Sequence, residues 1–481
     1  MKTIKFPLTA LVAALVLAGC STAKPPAQVN LDLPAQYRES PSALDGAWQA
    51  ARPADGSDRG AWWLVFADDR LNGLIDEAAR ANPTLTIALA RVKEARAIAG
   101  LVDSDRGFHL NAGFGPTRQG DANSTGTQWR GQVNASYEVD LFGRLADSSR
   151  AARLDAEAQA AAYQSVLLAL QADVAQQYFA IRSLDSELDV LDKTIQLRKE
   201  ALRLVRHRYD AGDTSELDVA QAMTELATTQ AEQERVDGSR AQRDHALAIL
   251  LGKAPAQFTL AAAPLQYVPV SVPAGLPSDL LQRRPDIAQA QRQLAAASAR
   301  IGAAKAAFFP SLSLTGTAGY ESTELHDLFK WSSRSWVLGP VLGTALSLPI
   351  LDGGRNRANL ARADAGYESL VANYRQQVLL GFQEVEDNLS ALRTLDRQIR
   401  FESEAVSSAK LAARLAESRY RNGSASYFEV IDAQRSSLAA ERAESRSAGQ
   451  RAVASVGLIR ALGGGWDSAS LGTQPVALLQ R

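Results

Sequence analysis

The sequence has a single cysteine, Cys20, among 481 residues, so no disulfide bond can form within the chain. Its four histidines have no metal-ligand spacing. The formal net charge is −1, which gives no basic footprint for a nucleic-acid partner. The sequence also lacks a glycine-rich phosphate loop and a G-x-S-x-G elbow. These absences argue against a nucleic-acid-binding protein and against the enzyme classes that these motifs mark.

Proline is missing from two long ranges. The chain holds 18 prolines, but none lies between Thr117 and Ala254 or between Ile350 and Gln474. Because proline interrupts helices, these ranges allow long ones. The helical pattern from Arg144 to Asp210 covers 67 residues, which at about 1.5 Å per residue gives a helix on the order of 100 Å long. Such a helix is normally sustained by lateral packing, as in a coiled coil.

What the sequence does contain is an internal repeat. Arg208-Tyr209-Asp210-Ala211-Gly212 is answered by Arg419-Tyr420-Arg421-Asn422-Gly423, and apolar–acidic–apolar steps follow both. Tyr420 minus Tyr209 gives an offset of 211, and Gly423 minus Gly212 gives the same. A fixed offset over roughly eighty residues predicts two copies of one large structural unit.

The N-terminus predicts export and lipidation. Lys2 and Lys5 precede the apolar run Leu8–Ala18, which is too short for a permanent membrane helix and is typical of a secretory signal. The run ends in Leu17-Ala18-Gly19-Cys20, which resembles the bacterial lipoprotein signal, where cleavage exposes the cysteine for lipidation. Ser21 then favours the outer membrane of a Gram-negative cell. The alternative is a plain signal peptide with an incidental cysteine.

Two segments change from helical to alternating periodicity, residues 107–140 and 308–349, and each predicts a strand pair. The polar stretch Gln119–Thr127 is predicted as the loop within the first pair, and about Trp336–Leu348 as the fourth strand. Four strands in lipid leave unpaired edge groups that each cost several kcal/mol, so closure with other chains into a barrel is expected. Three chains would supply roughly twelve strands, more than the filled eight-stranded barrels have. A soluble β-subdomain that caps the helices is the alternative.

Aromatic residues and an apolar cluster complete the pattern. The apolar segment Trp62–Phe66 precedes a helix that is interrupted at Asn82-Pro83, and packing of the helix start is favoured over a ligand site. Aromatic residues near the predicted strand ends fit an interfacial girdle: Trp129, Tyr137, Tyr320, Trp331 and Trp336.

Four motifs give the chain a resemblance to a known family. They are Tyr137-Glu138-Val139-Asp140-Leu141-Phe142-Gly143-Arg144, Arg283-Arg284-Pro285-Asp286-Ile287, Phe308-Phe309-Pro310-Ser311-Leu312 and Leu348-Pro349-Ile350-Leu351-Asp352-Gly353-Gly354-Arg355. With the lipoprotein signal, they resemble the outer-membrane efflux protein family of TolC-like outer-membrane factors. Within it, they resemble the lipoprotein branch that serves RND multidrug pumps. The similarity covers about residues 60–465.

The resemblance implies an α+β membrane protein that forms a homotrimer. A 12-stranded outer-membrane β-barrel, with four strands per chain, would be continued by a long periplasmic α-helical barrel built from two internal repeats. The implied function is passive conduction of small molecules, without enzymatic activity and without a cofactor other than the covalent lipid on Cys20. The implied partners are a periplasmic adaptor, an inner-membrane RND-type transporter and outer-membrane lipid.

This interpretation divides the chain as follows. Residues 1–19 are the signal peptide, 20–60 the lipidated tether, 61–262 the first repeat with its helical hairpin 144–250, 263–284 the linker, 285–465 the second repeat with its helical hairpin 355–462, and 466–481 the tail.

The resemblance also implies an aperture at the periplasmic end, where the two glycine turns lie. Matched residue by residue, Asp432 corresponds to the acid that lines the closed aperture and Phe428 to an apolar constriction. Asp218 corresponds to an acid near the first turn, Tyr420 to a tyrosine of the restraining network, and Glu429 is placed beside them. The expected adaptor contacts at the hairpin tips are Gly212, Gly423, Arg208, Arg419 and Arg421.

Helical spacing supports the aperture, because Phe428, Glu429 and Asp432 can share one helix face. Acids gathered at a three-fold axis would attract cations, and the arginines are expected to pair with acids across the helix interface. Alternatively, Asp218 and Glu429 stabilise helix N-termini through the dipole. Phe428 would then be a core residue and Arg208 and Arg419 surface charges. Some relatives carry Thr-Arg after the second glycine, where this chain has Ser424-Ala425, so a latch on that arginine is absent.

Other functions stay open at this point. One is a type I protein-secretion duct, although the lipoprotein signal favours small-molecule efflux. Another is a lipid-anchored periplasmic coiled-coil adaptor without a pore, against which the four alternating strands argue. Glu429 and Asp432 resemble paired catalytic carboxylates only superficially, because no loops form a pocket around them.

Overall fold

The computed structural model describes residues 37–39, 61–120, 125–266, 284–338 and 346–464. The predictions for the signal peptide, Cys20, most of the tether and linker, and the tail lie outside these residues. The helices are α1 (Asp69–Ala81), α2 (Pro83–Ser104), α3 (Arg144–Asp210), α4 (Glu216–Leu250), α5 (Pro285–Ala306), α6 (Arg355–Arg421) and α7 (Tyr427–Ala461). The strands are β1 (His109–Gly120), β2 (Thr125–Val139), β3 (Ser311–Ser322), β4 (Arg334–Leu338) and β5 (Leu346–Ser347).

Element lengths agree with the offset that the sequence shows. The helices α3 and α6 have 67 residues each, and α4 and α7 have 35 each. Likewise α2 and α5 have 22 residues each, and β1 and β3 have 12 each. The predicted bounds of α3 and α6 are confirmed. Among the described residues, no helix is both long and apolar enough to cross a membrane.

The chain separates into two compact units that do not coincide with the two sequence repeats. One unit takes Leu89–Ala161 and Ile287–Gln377, and the other takes Asp32–Ala88, Ala162–Asp286 and Val378–Arg481. Each unit therefore combines segments from both halves of the sequence. Because each sequence repeat contributes segments to both compact units, neither repeat is a separate folding domain.

The long helices start at aspartates of the family-like motifs. Asp140 accepts hydrogen bonds from the backbone N–H groups of Leu145 and Ala146, at 3.2 and 2.7 Å. Asp352 accepts from those of Gly354 and Asn356, both at 2.9 Å. Each carboxylate satisfies N–H groups that have no partner within the helix and stabilises the positive end of its dipole.

The sheet lies in the first of these units and is antiparallel throughout. Its order is β1-β2-β3-β4, and β5 pairs with β3 beyond β4. The predicted loop Gln119–Thr127 is largely wrong, because the β1–β2 pairing continues to Gly120 opposite Thr125. Polar residues there are compatible with strands because a sheet can keep one face solvated. The predicted fourth strand is found as β4 and β5, and residues 339–345 between them lie outside the described part.

The apolar segment before α1 packs into the largest hydrophobic cluster, as predicted. Trp62, Trp63 and Phe66 are buried there, and Trp62 Nε1 donates a hydrogen bond to Gln171 Oε1 at 3.2 Å. The interruption at Asn82 is a helix cap, since its side-chain oxygen accepts from the N–H groups of the next helix start. The bond from Trp62 to Gln171 joins the segment before α1 to α3 within one unit.

Arginines of α7 also reach buried acids of the first hairpin. Glu187 of α3 has only 3% of its side chain exposed and accepts hydrogen bonds from Arg442 at 2.8 Å and from Arg446 at 2.6 Å. Arg442 also pairs with Glu232 of α4. Burial alone raises the pKa of Glu187, but the hydrogen bonds from the two arginines outweigh it and lower the pKa below its usual value.

We predict that Glu187→Gln destabilises the protein by about 1.5–3 kcal/mol, because the half-exposed Arg446 loses its carboxylate partner and Arg442 keeps only Glu232. Asp189→Asn is the matched control. Asp189 lies on the same helix and pairs with Lys193. Both side chains of this pair are exposed, so losing the pair should leave the unfolding temperature nearly unchanged. Thermal unfolding of the detergent-solubilised protein, followed by circular dichroism, gives the comparison.

The pH dependence follows from the lowered pKa of Glu187. A carboxylate with a depressed pKa in the folded state stabilises the protein above its unfolded pKa of about 4.3 and loses this contribution as pH falls further. The gap between wild type and Glu187→Gln should therefore be full at pH 7 and narrow below about pH 4. Equal unfolding temperatures at pH 7 would contradict the assignment.

Candidate functional site: the hairpin tips

The first tip, residues 208–218, is a helix end, a short turn and a helix start. Gly212 has a φ of +80°, a left-handed conformation that glycine adopts without steric cost. The N–H of Gly212 donates to the carbonyl of Tyr209, and the N–H of Asp213 to that of Arg208, which is the Schellman ending. Ser215 and Asp218 then form a capping box at the start of α4.

The second tip, residues 419–432, repeats this geometry. Gly423 has a φ of +73°, and its N–H donates to the carbonyl of Tyr420 at 3.0 Å. Ser426 and Glu429 form the capping box of α7. The Glu429 carboxylate also pairs with Arg419 at 3.3 Å, and Arg419 donates to the carbonyl of Ser424 at 3.1 Å. The second tip is therefore braced by its own residues.

A small apolar cluster lies directly behind the tips. Its buried members come from all four long helices: Leu202, Val205, Ala222, Tyr420, Tyr427, Val430 and Ile431. The rings of Tyr420 and Tyr427 are 5.3 Å apart. Burial, together with the nearby Tyr420, raises the pKa of Tyr427 to about 12, so this phenol stays neutral at physiological pH. Tyr420 is thus a core residue of the paired tips.

Arg208 connects the two tips, though not in the predicted way. It donates to the backbone carbonyls of Tyr420 at 3.2 Å and Arg421 at 3.1 Å, and its guanidinium lies 4.6 Å from the centre of the Tyr420 ring. The expected pairing with an acid is wrong for Arg208, because the negative end of the α6 dipole offers carbonyls that have no helical partner. Within the described part of the chain, the Arg421 side chain pairs only with Glu417 of its own helix.

The five predicted aperture residues separate into two groups. Asp218 and Glu429 have structural tasks as capping acids, and Tyr420 is buried. Phe428 is 61% exposed in this chain, so it is not a core residue of the subunit. Asp432 is also exposed and makes no hydrogen bond among the described residues, and its one charged neighbour there is Arg435, which interacts with it electrostatically. Only these two side chains, one helical turn apart, are free to face a passage.

A buried charged cluster nearby escaped the sequence analysis. Glu225 of α4 pairs with Arg198 of α3 at 3.0 Å and with Arg435 of α7, and Glu225 and Arg198 are both buried. Arg198 also donates to the backbone carbonyl of Glu225 and to Thr229. One signal was available in the sequence. Glu225 and Glu232 are seven residues apart, as are Arg435 and Arg442, and this is the heptad spacing of packed helices.

The histidines were expected to have no metal-ligand spacing, and one of them does lie among acids. His326 Nδ1 is 3.2 Å from Glu324 Oε2, and its Nε2 is 3.0 Å from Asp327 Oδ1. Lys330 contacts the same oxygen of Asp327. Glu324 and His326 are exposed and Asp327 is half-buried, and the Asp327 carboxylate is already paired with Lys330.

Long helical hairpins and an antiparallel sheet in one chain are the fold of outer-membrane channels of the efflux type. The outer-membrane channel OprN has this fold, with a TM-score of 0.85 and 28% identity over 93% of this chain and all of that one. The chain is 36% identical to the outer membrane protein OprJ of Pseudomonas aeruginosa, over 97% of both proteins. It is 35% identical to the cation efflux system protein CusC of Escherichia coli O6:H1, over 94% of this chain and 97% of that protein.

The profile of the outer membrane efflux protein family matches residues 74–253 and 276–464. The chain belongs to this family, which confirms the resemblance drawn from its motifs. The protein is accordingly an outer-membrane efflux channel of Gram-negative type.

We predict that Arg208→Gln loosens the last turn of α6, because the carbonyls of Tyr420 and Arg421 lose a cationic donor. Hydrogen exchange of peptides that cover residues 415–424 should become severalfold faster. Arg421→Gln is the control, since it removes an arginine of the same tip whose side chain, as far as the described residues go, bonds only Glu417. Equal exchange rates in both variants would show that Arg208 does not stabilise the last turn of α6.

Proposed function

We propose that the chain is one subunit of a homotrimeric exit duct in a tripartite efflux pump. The subunit would receive small molecules from an inner-membrane RND-type transporter through a periplasmic adaptor and conduct them passively outward. The observation that carries the proposal is the contrast at the second tip. Ser426 and Glu429 bond each other within the tip, and Glu429 also pairs with Arg419, whereas the exposed Phe428 and Asp432 at the start of α7 make no hydrogen bond among the described residues.

The sheet supports assembly with further copies. Among the described strands, β1 pairs with β2 alone, so one edge of a 12-residue strand is unpaired. Unpaired backbone groups in lipid cost several kcal/mol each. Three copies that pair edge to edge would contribute four strand positions each and close a barrel of about twelve strands, wide enough for water. The exposed aromatic rings of Trp331 and Trp336 would then lie in the interfacial girdle.

The aperture would form where three second tips meet. Three copies of Phe428 would supply an apolar constriction that resists wetting, and three copies of Asp432 an acidic ring that attracts cations. Asp218, Glu429 and Tyr420 belong to this aperture as supports. The first two hold the helix starts, and the third packs behind them.

The outer faces of the tips are the proposed contact for the adaptor. Gly212 and Gly423 are exposed turns with fixed left-handed backbones, and rigid turns present a constant surface to a partner. Arg419 and Arg421 are exposed beside them, and Arg208 holds the two tips together. An adaptor with acidic groups at its own tip would suit these arginines.

The test is single-channel current in planar bilayers. We predict that Phe428→Ala/Asp432→Ala raises the wild-type current severalfold, because both the dewetting barrier and the charged ring are lost. The matched control is Leu217→Ala/Gln221→Ala, which changes the positions 211 residues earlier, where Leu217 is 64% exposed. The control should leave the current near that of wild type.

Two outcomes would count against the proposal. Equal gains in both double variants would remove the aperture from the second tip. No current from a folded, lipid-inserted wild-type protein would favour a poreless, lipid-anchored adaptor.

We also propose that Cys20 carries the covalent lipid, on the strength of the Leu17-Ala18-Gly19-Cys20 sequence. We predict that cells fed labelled palmitate incorporate it into the wild-type protein and not into Cys20→Ser. Since Cys20 is the sole cysteine, residual label in the variant would contradict lipidation at this site. Ser21→Ala is the control, because it leaves the acceptor thiol in place.

A further inference from the structure

We propose that residues 37–39 and one face of α6 form a docking joint that attaches the lipidated tether to the helical body. The proposal rests on the proposed lipidation of Cys20, which lies 17 residues before Tyr37 in the sequence. The receptor face is the stripe Phe382, Glu386 and Arg393. Their spacing of 4 and 11 residues places them on one side of the helix.

The centre of the joint is the carboxylate of Glu386. It accepts the backbone N–H of Arg38 at 2.7 Å through Oε1 and the backbone N–H of Glu39 at 2.9 Å through Oε2. Hydrogen bonds to an ionised acceptor are roughly twice as strong as neutral ones. Because both donors are backbone groups, Glu386 recognises a turn of the main chain and not particular side chains.

An ion pair and an aromatic anchor flank this centre. Arg393 pairs with Glu39, so α6 offers an acid to the tether backbone and a base to the tether side chain. Tyr37 is 5% exposed and belongs to the largest hydrophobic cluster, where its ring lies 6.2 Å from that of Phe382. Removing this aromatic side chain from water stabilises the closed joint. Three independent contacts made by three consecutive residues define a specific binding position for the tether on α6.

The joint determines how the membrane anchor is connected. A lipid on Cys20 is separated from Tyr37 by 17 residues, which span at most about 60 Å when fully extended. With the joint closed, Glu386 cannot lie further than about that distance from the acyl chains. Without the joint, the nearest described residue of the body is Ala61, and the permitted distance would more than double. The joint is therefore a fixed attachment point for an otherwise long tether.

Trypsin offers a direct probe, because the tether has only two bonds that it cuts. Lys24 and Arg52 precede prolines, which leaves Arg38–Glu39 within the joint and Arg59–Gly60 outside it as an internal reference. Glu386 binds the N–H groups on both sides of the Arg38 residue. Cleavage there requires the joint to open, so its rate follows the population of the open form.

We expect Glu386→Ala to raise the cleavage rate at Arg38–Glu39 at least severalfold relative to the reference bond, as measured by mass spectrometry of the new N-termini. Asp387→Ala is the matched control, since Asp387 is the next residue of α6 and, among the residues that the structure describes, bonds only Gln383. It should leave the ratio of the two rates unchanged. Tyr37→Ala supplies a second variant if Glu386→Ala fails to fold, and it should raise the ratio in the same way.

The readout separates this inference from the proposals on which it rests. Unchanged cleavage ratios in both Glu386→Ala and Tyr37→Ala would overturn the joint, whatever the channel conducts. Labelled palmitate recovered in the released peptide that ends at Arg38 would support attachment of the lipid through the joint. Protection of Arg38 in wild type without any palmitate label would defeat the lipid connection while the docking contact stands.

Discussion

The reversal of the chain at Gly212 and Gly423 is the constraint on which the candidate site depends. Helices of 67 residues end with carbonyl groups that have no partner, and the left-handed glycines satisfy these by folding the next N–H groups back. The same turn delivers Ser215 and Ser426 to the N-cap positions of the returning helices. The exposure of Phe428 and Asp432 follows, because the capping box fixes which residues of α7 face inward.

Buried charge sets the register between the two hairpins. Arg435 minus Glu225 and Arg442 minus Glu232 both give 210, and both pairs are in contact. A slip of α7 along α4 would break both of these charge-assisted contacts, each of which contributes about 1.5–3 kcal/mol. By contrast, the exposed Arg419–Glu429 pair at the tip contributes about 0–1 kcal/mol. The tips can therefore rearrange at far lower cost than the ion pairs behind them.

Sequence reasoning predicted the long helices well, because proline-free ranges and glycine breaks act locally. It placed the bounds of α3 and α6 correctly. It missed the extension of β1 to Gly120, since polar strand residues read as a loop when only one strand is considered. It also missed Glu225, Arg435 and Glu386, whose partners lie about 210 or 350 residues away. Ion pairs between residues that are far apart in the chain leave at most a heptad spacing of charged residues in the sequence.

The charges at the tips bear on how an outlet of this kind would discriminate among solutes. Asp218 is engaged in a capping box, and Glu429 is shared between a capping box and Arg419. Asp432 alone among these acids has no bonded partner in the described part of the chain. In the proposed trimer the acidic ring is therefore one carboxylate per subunit. A single ring, screened over about 8–10 Å in physiological salt, biases ions but barely affects larger organic solutes, so that sorting of such cargo belongs to the partner that delivers it.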